Sequence, residues 1–326
     1  MSLAYDEVAP DHLELRRRDV FVSLFRACNT CGPVTCAVVH PCDADSLGGA
    51  MLAARRGIIV PTLVGPEDKI RHISDEARID LDNVRIVSVP HSHAAASRAV
   101  EMARGGEVES IMKGSLHTEE LMGAVVSSTS GLRTSRRISH AFVLDVPTYP
   151  KMLMMTDAAV NIAPSLEDKR DIVQNAIDLA QVLGVPTPRV GILSAVETVT
   201  SRIPSTLDAA ALCKMADRGQ IRGGILDGPL GFDNAISARA ARTKGIESPV
   251  SGEADILLAP DLESANMLLK QLTYLAGAEG AGIVLGTRVP VILTSRADSV
   301  RTRLASAAVM AVIAQAGRSG RHPAIS

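Results

Sequence analysis

The residues best suited to chemistry stand where apolar runs break into polar turns. Val291-Ile292-Leu293 leads directly into Thr294-Ser295-Arg296-Ala297-Asp298-Ser299. Backbone N–H groups at the helix start that follows, together with Ser295 and Arg296, would hold an anion such as phosphate. The same letters also read as a helix capped by Asp298 with Arg296 in solvent, and spacing leaves both readings open. A second place is Leu226-Asp227-Gly228-Pro229-Leu230-Gly231-Phe232-Asp233-Asn234, whose carboxylates Asp227 and Asp233 would serve proton transfer. Ordinary turn and helix-start chemistry explains those letters as well. The third place runs from Met112-Lys113-Gly114-Ser115-Leu116-His117-Thr118 to the basic segment Gly131-Leu132-Arg133-Thr134-Ser135-Arg136-Arg137 and on to Ser139-His140. Lys113, Ser115, Arg133, Arg136 and Arg137 are the groups a phosphorylated ligand needs, although loop arginines commonly only face water.

Missing motifs narrow the chemistry. There is no G-x-x-x-x-G-K-S/T, no H-E-x-x-H and no G-x-S-x-G, and Gly280-Ala281-Gly282 lacks the third glycine of a dinucleotide-binding turn. Cys28-x-x-Cys31 is followed by Cys36 and Cys42, but no second closely spaced pair follows, and Cys36 sits inside the apolar run Val34–Val39. These thiols read as small buried hydrophobes, and no metal site is assigned. An odd total of 5 cysteines argues against a disulfide framework. A net charge of -2 and an aromatic share of 2% offer nothing to hold or stack on a nucleic acid. No apolar run reaches bilayer length and no signal-like start is present, so the expectation is a cytoplasmic protein with no membrane partner.

The elements that must position these residues alternate. Short apolar runs fall at 34–39, 58–64, 84–89, 110–113, 140–146, 152–155, 189–194, 223–226, 255–259 and 289–294, separated by longer amphipathic stretches. That alternation predicts repeated βα units and a mainly parallel sheet, with ligands beyond the carboxyl ends of the strands. The stretch 166–183 shows helical spacing at Ile172, Ala176, Ala180 and Leu183, with Ser165 as cap and Gly184 as stop, while Asn175 and Asp178 point elsewhere. A final helix is expected over 298–316. Junctions are expected within 130–151, where Pro147 and Pro150 stand, and in the glycine-rich stretch 277–286.

Taken in order, the segments at 111–118, 131–140, 226–235, 257–272, 277–286 and 293–299 resemble the phosphate acetyl/butyryltransferase family from about Cys36 to Ala316. In detail the chain looks most like the transferase half of bifunctional enoyl-CoA hydratase/phosphate acetyltransferase proteins. The resemblance implies two three-layer α/β domains with a cleft between them, similar to isocitrate and isopropylmalate dehydrogenases. Domain one would comprise 1–148 plus 286–326 and carry both termini, and domain two would be 149–285. It implies a homodimer and the reaction acetyl-CoA plus phosphate to acetyl phosphate plus CoA. Acyl-CoA, inorganic phosphate and acyl phosphate are its substrates. No cofactor is permanently bound, coenzyme A being a substrate, and no metal is needed. Alternatives are a phosphate butyryltransferase and a catalytically weak CoA or acyl-phosphate binding protein.

The family's serine-arginine pair maps onto Ser295 and Arg296. Ser295 would hydrogen-bond the acyl carbonyl or the thiol sulfur, and Arg296 would hold phosphoryl oxygens. An aspartate that the acetyl branch places seven positions after the serine is Thr302 here. Asp298 and Asp227 are therefore both carried as candidate bases. Arg133, Arg136 and Arg137 stand in for an arginine with no counterpart near Gly123. The coenzyme would lie along a wall built by 261–286, including Gly280 and Gly282, and the turn at 295–299.

Overall fold

The computed structural model describes residues 20–128, 132–294 and 298–320. In chain order its strands are β1 (Val34–Val39), β2 (Ile59–Gly65), β3 (Arg85–Ser88), β4 (Ser110–Lys113), β5 (Ser139–Asp145), β6 (Leu153–Thr156), β7 (Arg189–Leu193), β8 (Ile225–Leu230), β9 (Ile256–Leu258), β10 (Glu279–Leu285) and β11 (Val291–Ile292). They form one 11-stranded sheet in the order β3-β2-β1-β4-β11-β10-β5-β6-β9-β7-β8. β3, β2, β1, β4 and β11 are mutually parallel, as are β6, β9, β7 and β8. Between these blocks β10 is antiparallel to β11 and to β5, and β5 is antiparallel to β6. The sheet is therefore mixed, with its three reversals at the centre. The parallel blocks read as continuous apolar runs because both faces are covered, as in β1, where five of six residues are buried.

Helices cover one face throughout. α1 (Val20–Cys28), α2 (Ala44–Arg55), α3 (Glu67–Ala77), α6 (Leu166–Val182), α7 (Pro204–Asp217) and α11 (Val300–Arg318) contribute to a single apolar cluster with Ala141, Val143, Ala281 and Ile283 of the central strands. The other face carries two separate patches. α4 (Ser92–Arg104) and α5 (Thr118–Val126) pack on β1, β4 and β11. α8 (Phe232–Ile236) and α10 (Leu262–Leu275) pack on β6, β7 and β9, with α9 (Ala238–Thr243) beside α8. Over β10 and β5 neither patch closes, which leaves a cleft along the middle of the sheet.

α6 matches its expected span and shows why its ends fall where they do. Ser165 Oγ accepts from Asp168 N–H at 3.2 Å and Asp168 accepts from Ser165 N–H at 3.1 Å, while Gly184 takes a φ of 93° just past the end. Two of its polar residues depart from expectation. Asn175 and Asp178 are buried, because they tie the helix to the chain entering β5: Asn175 Nδ2 donates to Ser139 Oγ at 2.9 Å, and Asp178 pairs with Arg136. The strand expected at 223–226 extends to Leu230, and the last helix begins at Val300. The largest difference is β10, which occupies the stretch expected to be a glycine-rich junction.

Candidate functional site

The cleft encloses about 510 Å³. Its floor is built by cross-strand pairs whose side chains share one face: Leu144 opposite Gly280, Phe142 opposite Gly282 and His140 opposite Val284. Glycine at two successive inward positions of β10 removes the side chains that would otherwise fill the gap. A Cβ on Gly282 would stand 2.8 Å from the Leu293 carbonyl oxygen and 3.0 Å from the His140 ring, so this position tolerates only glycine without movement. One wall is α10, through Asn266, Leu269, Lys270, Thr273 and Tyr274. The opposite wall holds Leu293, Thr294, Asp298, Ser299 and Thr302 at the β11–α11 connection, with Thr118 at the start of α5. Ala158 and Ala159 close one end.

The end of β11 is held from both sides. Lys113, only 4% exposed, directs Nζ at the Gly114 carbonyl (3.3 Å) and the Thr294 carbonyl (3.5 Å). Arg303, on α11 and also buried, donates from Nη1 to Thr294 Oγ1 at 3.1 Å. Its stem crosses α2 at Gly49, where a Cβ would come within 2.8 Å of Arg303 Cδ. Two cations thus grip the last described residue before Ser295. α11 is itself tied to the floor, since Ser306 Oγ accepts from Gly282 N–H at 3.0 Å and donates to the Thr302 carbonyl at 2.9 Å.

His140 is the unusual group of the floor. Its ring is 0% exposed, and among the described residues neither Nδ1 nor Nε2 has a hydrogen-bond partner of good geometry. Burial drives its pKa down to about 3, with the Leu293 carbonyl nearby opposing that shift, so the imidazole is neutral. At the closed end, Asp157 accepts from the N–H groups of Ala159 and Val160 at 2.9 and 3.0 Å, which shapes the wall; burial raises its pKa.

The residues nominated from sequence separate into groups. Asp298 and Gly280 line the cleft, and Gly282 lies in its floor beneath His140. Ser295 and Arg296 lie outside the described residues, between Thr294 and Asp298. Ser115 is engaged at the ends of β1 and β4, where its Oγ donates to the His40 carbonyl at 2.9 Å and accepts from Cys42 N–H at 3.1 Å. Arg136 is committed to Asp178, and Arg137 to Asn161 (2.7 Å) and Asp168 (3.5 Å). Arg133 is exposed and bridges to Thr287. None of these three arginines borders the cleft. Asp227 is on the outermost strand β8, six strand steps from β11, or about 29 Å at the usual strand spacing. That distance removes it as a base for chemistry at the β11 turn. Sequence reasoning missed Arg303 and Lys270; the polar text of a helix does not say which side chain turns inward.

This arrangement offers an elongated cleft floored by bare backbone, with a doubly anchored strand end and a carboxylate, Asp298, on one wall. Such a site suits an elongated ligand. The sequence pattern described as phosphate acetyl/butaryl transferase matches residues 91–311. A phosphate acetyltransferase of Rhizobium meliloti is 61% identical over 302 residues, covering 93% of this chain and 96% of the relative. A phosphate butyryltransferase of Clostridium acetobutylicum is 41% identical over 278 residues, covering 85% and 92%. Among solved structures, a branched-chain phosphotransacylase from Enterococcus faecalis V583 superposes with a TM-score of 0.76 at 28% identity, covering 86% of this chain and 99% of that one. By sequence and by fold, the chain belongs to the phosphate acetyl/butyryltransferase family.

Proposed function

We propose that the chain is a phosphate acetyltransferase and that it moves an acetyl group between coenzyme A and inorganic phosphate in the central cleft. The acetyl reading rests on the 61% identity to an acetyltransferase, against 41% to a butyryltransferase. The observation that carries the site is that Thr294 and Asp298, the described neighbours of Ser295 and Arg296, both line the cleft.

In the direction of acetyl phosphate formation, a phosphate oxygen attacks the thioester carbonyl carbon and negative charge gathers on the carbonyl oxygen. The C–S bond then breaks and the thiolate leaves. Ser295 would donate to that oxygen or to the departing sulfur, and Arg296 would hold the phosphate in line. In reverse, the thiol must lose its proton before attacking acetyl phosphate, and Asp298, which lines the cleft, would take it. Thr302 also borders the cleft, but as an alcohol it lends a hydrogen bond, not a base.

The reading brings with it a cytoplasmic homodimer whose substrates are acyl-CoA, phosphate and acyl phosphate. Among the described residues no helix is long and apolar enough to cross a membrane. It also brings a division into 1–148 plus 286–326 and 149–285. The parallel blocks on either side of the centre favour that division, while β5 and β10 cross it, each lying beside strands of the other part.

The test is the release or capture of free thiol with acetyl-CoA plus phosphate and with acetyl phosphate plus CoA. Ser295→Ala is expected to lower kcat by about a hundredfold, the scale of one lost oxyanion donor, with an unchanged unfolding midpoint. Full turnover in that variant would refute the assignment of Ser295.

A further inference from the structure

The ladder between β10 and β11 ends at Ile292 opposite Ile283, so Leu293 continues in register opposite Gly282. Leu293 and Thr294 are both buried at that end. Thr294 is held through its carbonyl by Lys113 and through its hydroxyl by Arg303. The Leu293 carbonyl lacks such a hold, since no backbone N–H among the described residues donates to it. Gly282, the residue opposite, sends its N–H to Ser306 Oγ at 3.0 Å instead. His140 faces the same spot, and its ring nitrogens have no well-aligned partner among the described residues. A Cβ on Gly282 would stand 2.8 Å from the Leu293 carbonyl oxygen and 3.0 Å from both Cε1 and Nε2 of His140. Both groups therefore border the space left by the missing side chain. A buried acceptor short of a donor and a buried imidazole short of an acceptor meet over one glycine.

We propose that His140 is a positioning residue for acyl transfer: its Nε2–H donates to the Leu293 carbonyl across Gly282 and sets the strand end that Ser295 and Arg296 follow. The Cε1–Nε2 edge of the ring borders the gap at Gly282, which makes Nε2 the protonated nitrogen and leaves Nδ1 bare. Hydrogen bonds at active sites are often poorly aligned until the substrate complex forms. The contact spans β5 to β11, two strands apart in the sheet, and only a glycine on the intervening β10 permits so close an approach. With Lys113 and Arg303 on Thr294, it gives the last two described residues before Ser295 side-chain anchors from β4, α11 and β5. A misplacement of about 1 Å costs on the order of a hundredfold in rate, so a bond at the root of this turn bears on kcat. The inference rests on the acyltransferase reading given above. It concerns a ring that touches no reacting atom, since none of its surface is exposed.

The tautomer is read by long-range proton–nitrogen NMR of wild type carrying labelled histidine, with the signals absent from His140→Gln or His140→Leu identifying residue 140. A protonated Nε2 and a bare Nδ1 at neutral pH are expected, and the opposite tautomer would overturn the proposal. Steady-state thiol assays then compare wild type with three variants. His140→Leu should lower kcat by about a hundredfold and leave KM for both substrates unchanged. His140→Gln carries an amide N–H near the place of Nε2 and should recover most of that loss, whereas His140→Asn, whose amide falls near the place of Nδ1, should not. Wild-type kcat in His140→Leu, or equal losses in all three variants, would also overturn the proposal, because a role of shape alone does not tell one donor position from another. If wild type transfers no acetyl group, the acyltransferase reading fails. The tautomer, together with amide exchange of the peptide containing Leu293 and Thr294, then decides the His140 anchor by itself. Faster exchange in His140→Leu than in wild type and His140→Gln supports the anchor, and equal exchange in all three sinks it.

Discussion

A buried neutral imidazole with no exposed surface and no well-aligned hydrogen-bond partner among the described residues, as at His140, leaves a trace in the pH dependence of stability. Its folded-state pKa, about 3, lies below the ordinary value of 6.5. The unfolded chain therefore binds the extra proton between those values, and its stabilising effect is full above about pH 6.5 and lost as the pH falls toward 3. At 1.36 kcal/mol per pKa unit, the loss amounts to roughly 4 kcal/mol at the bottom of that window. His140→Leu should remove this contribution, so that urea unfolding at about pH 7.5 and pH 4.5 gives a smaller difference than in wild type, by about 3 kcal/mol. An identical pH profile in the variant would place the acid sensitivity elsewhere. His140 stood in the sequence as the first residue of an expected strand, 140–146, following a basic segment. Nothing in that text says that its ring lies over a glycine of another strand, because the partner is more than a hundred positions away. Ser295 and Arg296 were nominated for the opposite reason: a short, ordered run of letters carries them without help from distant contacts, and both lie outside the described residues.

At the scale of elements, Arg136 shows how charge in a loop misleads. A cluster of Arg, Lys and Ser after a strand suggested a phosphate site, whereas Arg136 fastens the start of β5 to α6 through Asp178, whose side chain is only 7% exposed. Arg136→Ala leaves that carboxylate with Gln174 as its remaining described partner, at 2.9 Å. The expected cost is about 3 kcal/mol, the scale of stranding one member of a buried ion pair, read as a lowered denaturant midpoint. A raised KM for phosphate with unchanged stability would instead favour the binding role implied by the family resemblance. β10 is the complementary case. Glu279-Gly280-Ala281-Gly282 lacks apolar alternation on one face, so it read as a junction, yet Gly282-Ile283-Val284-Leu285 carried a strand signal that the glycines concealed. Those glycines are what keep the cleft open. The parallel strands were legible because their coverage on both faces makes them uniformly apolar.

Across the whole molecule, strand order decides which residues share a site, and strand order is the property least accessible to local letters. Asp227 and Asp298 looked equivalent as carboxylates at strand ends, but they lie at the edge and near the centre of the sheet. Asp298→Asn is expected to lower kcat by at least about a hundredfold, the scale of general base catalysis, while Asp227→Asn changes it less than about twofold. Steady-state thiol assays on both variants check this, and a large loss on Asp227→Asn would mean that β8 reaches the chemistry by a route not present within one chain.

The glycine pairs in the floor set a limit on how the enzyme can be retuned. Paired backbone offers no side chain to trim, so the depth of the trough is fixed by the ladder between β5 and β10. Room for longer or branched acyl tails must be gained sideways, at Leu269 or Leu293, where apolar bulk borders the same space. Variation among relatives that accept different acids should accordingly concentrate in those flanking positions and leave the trough itself untouched.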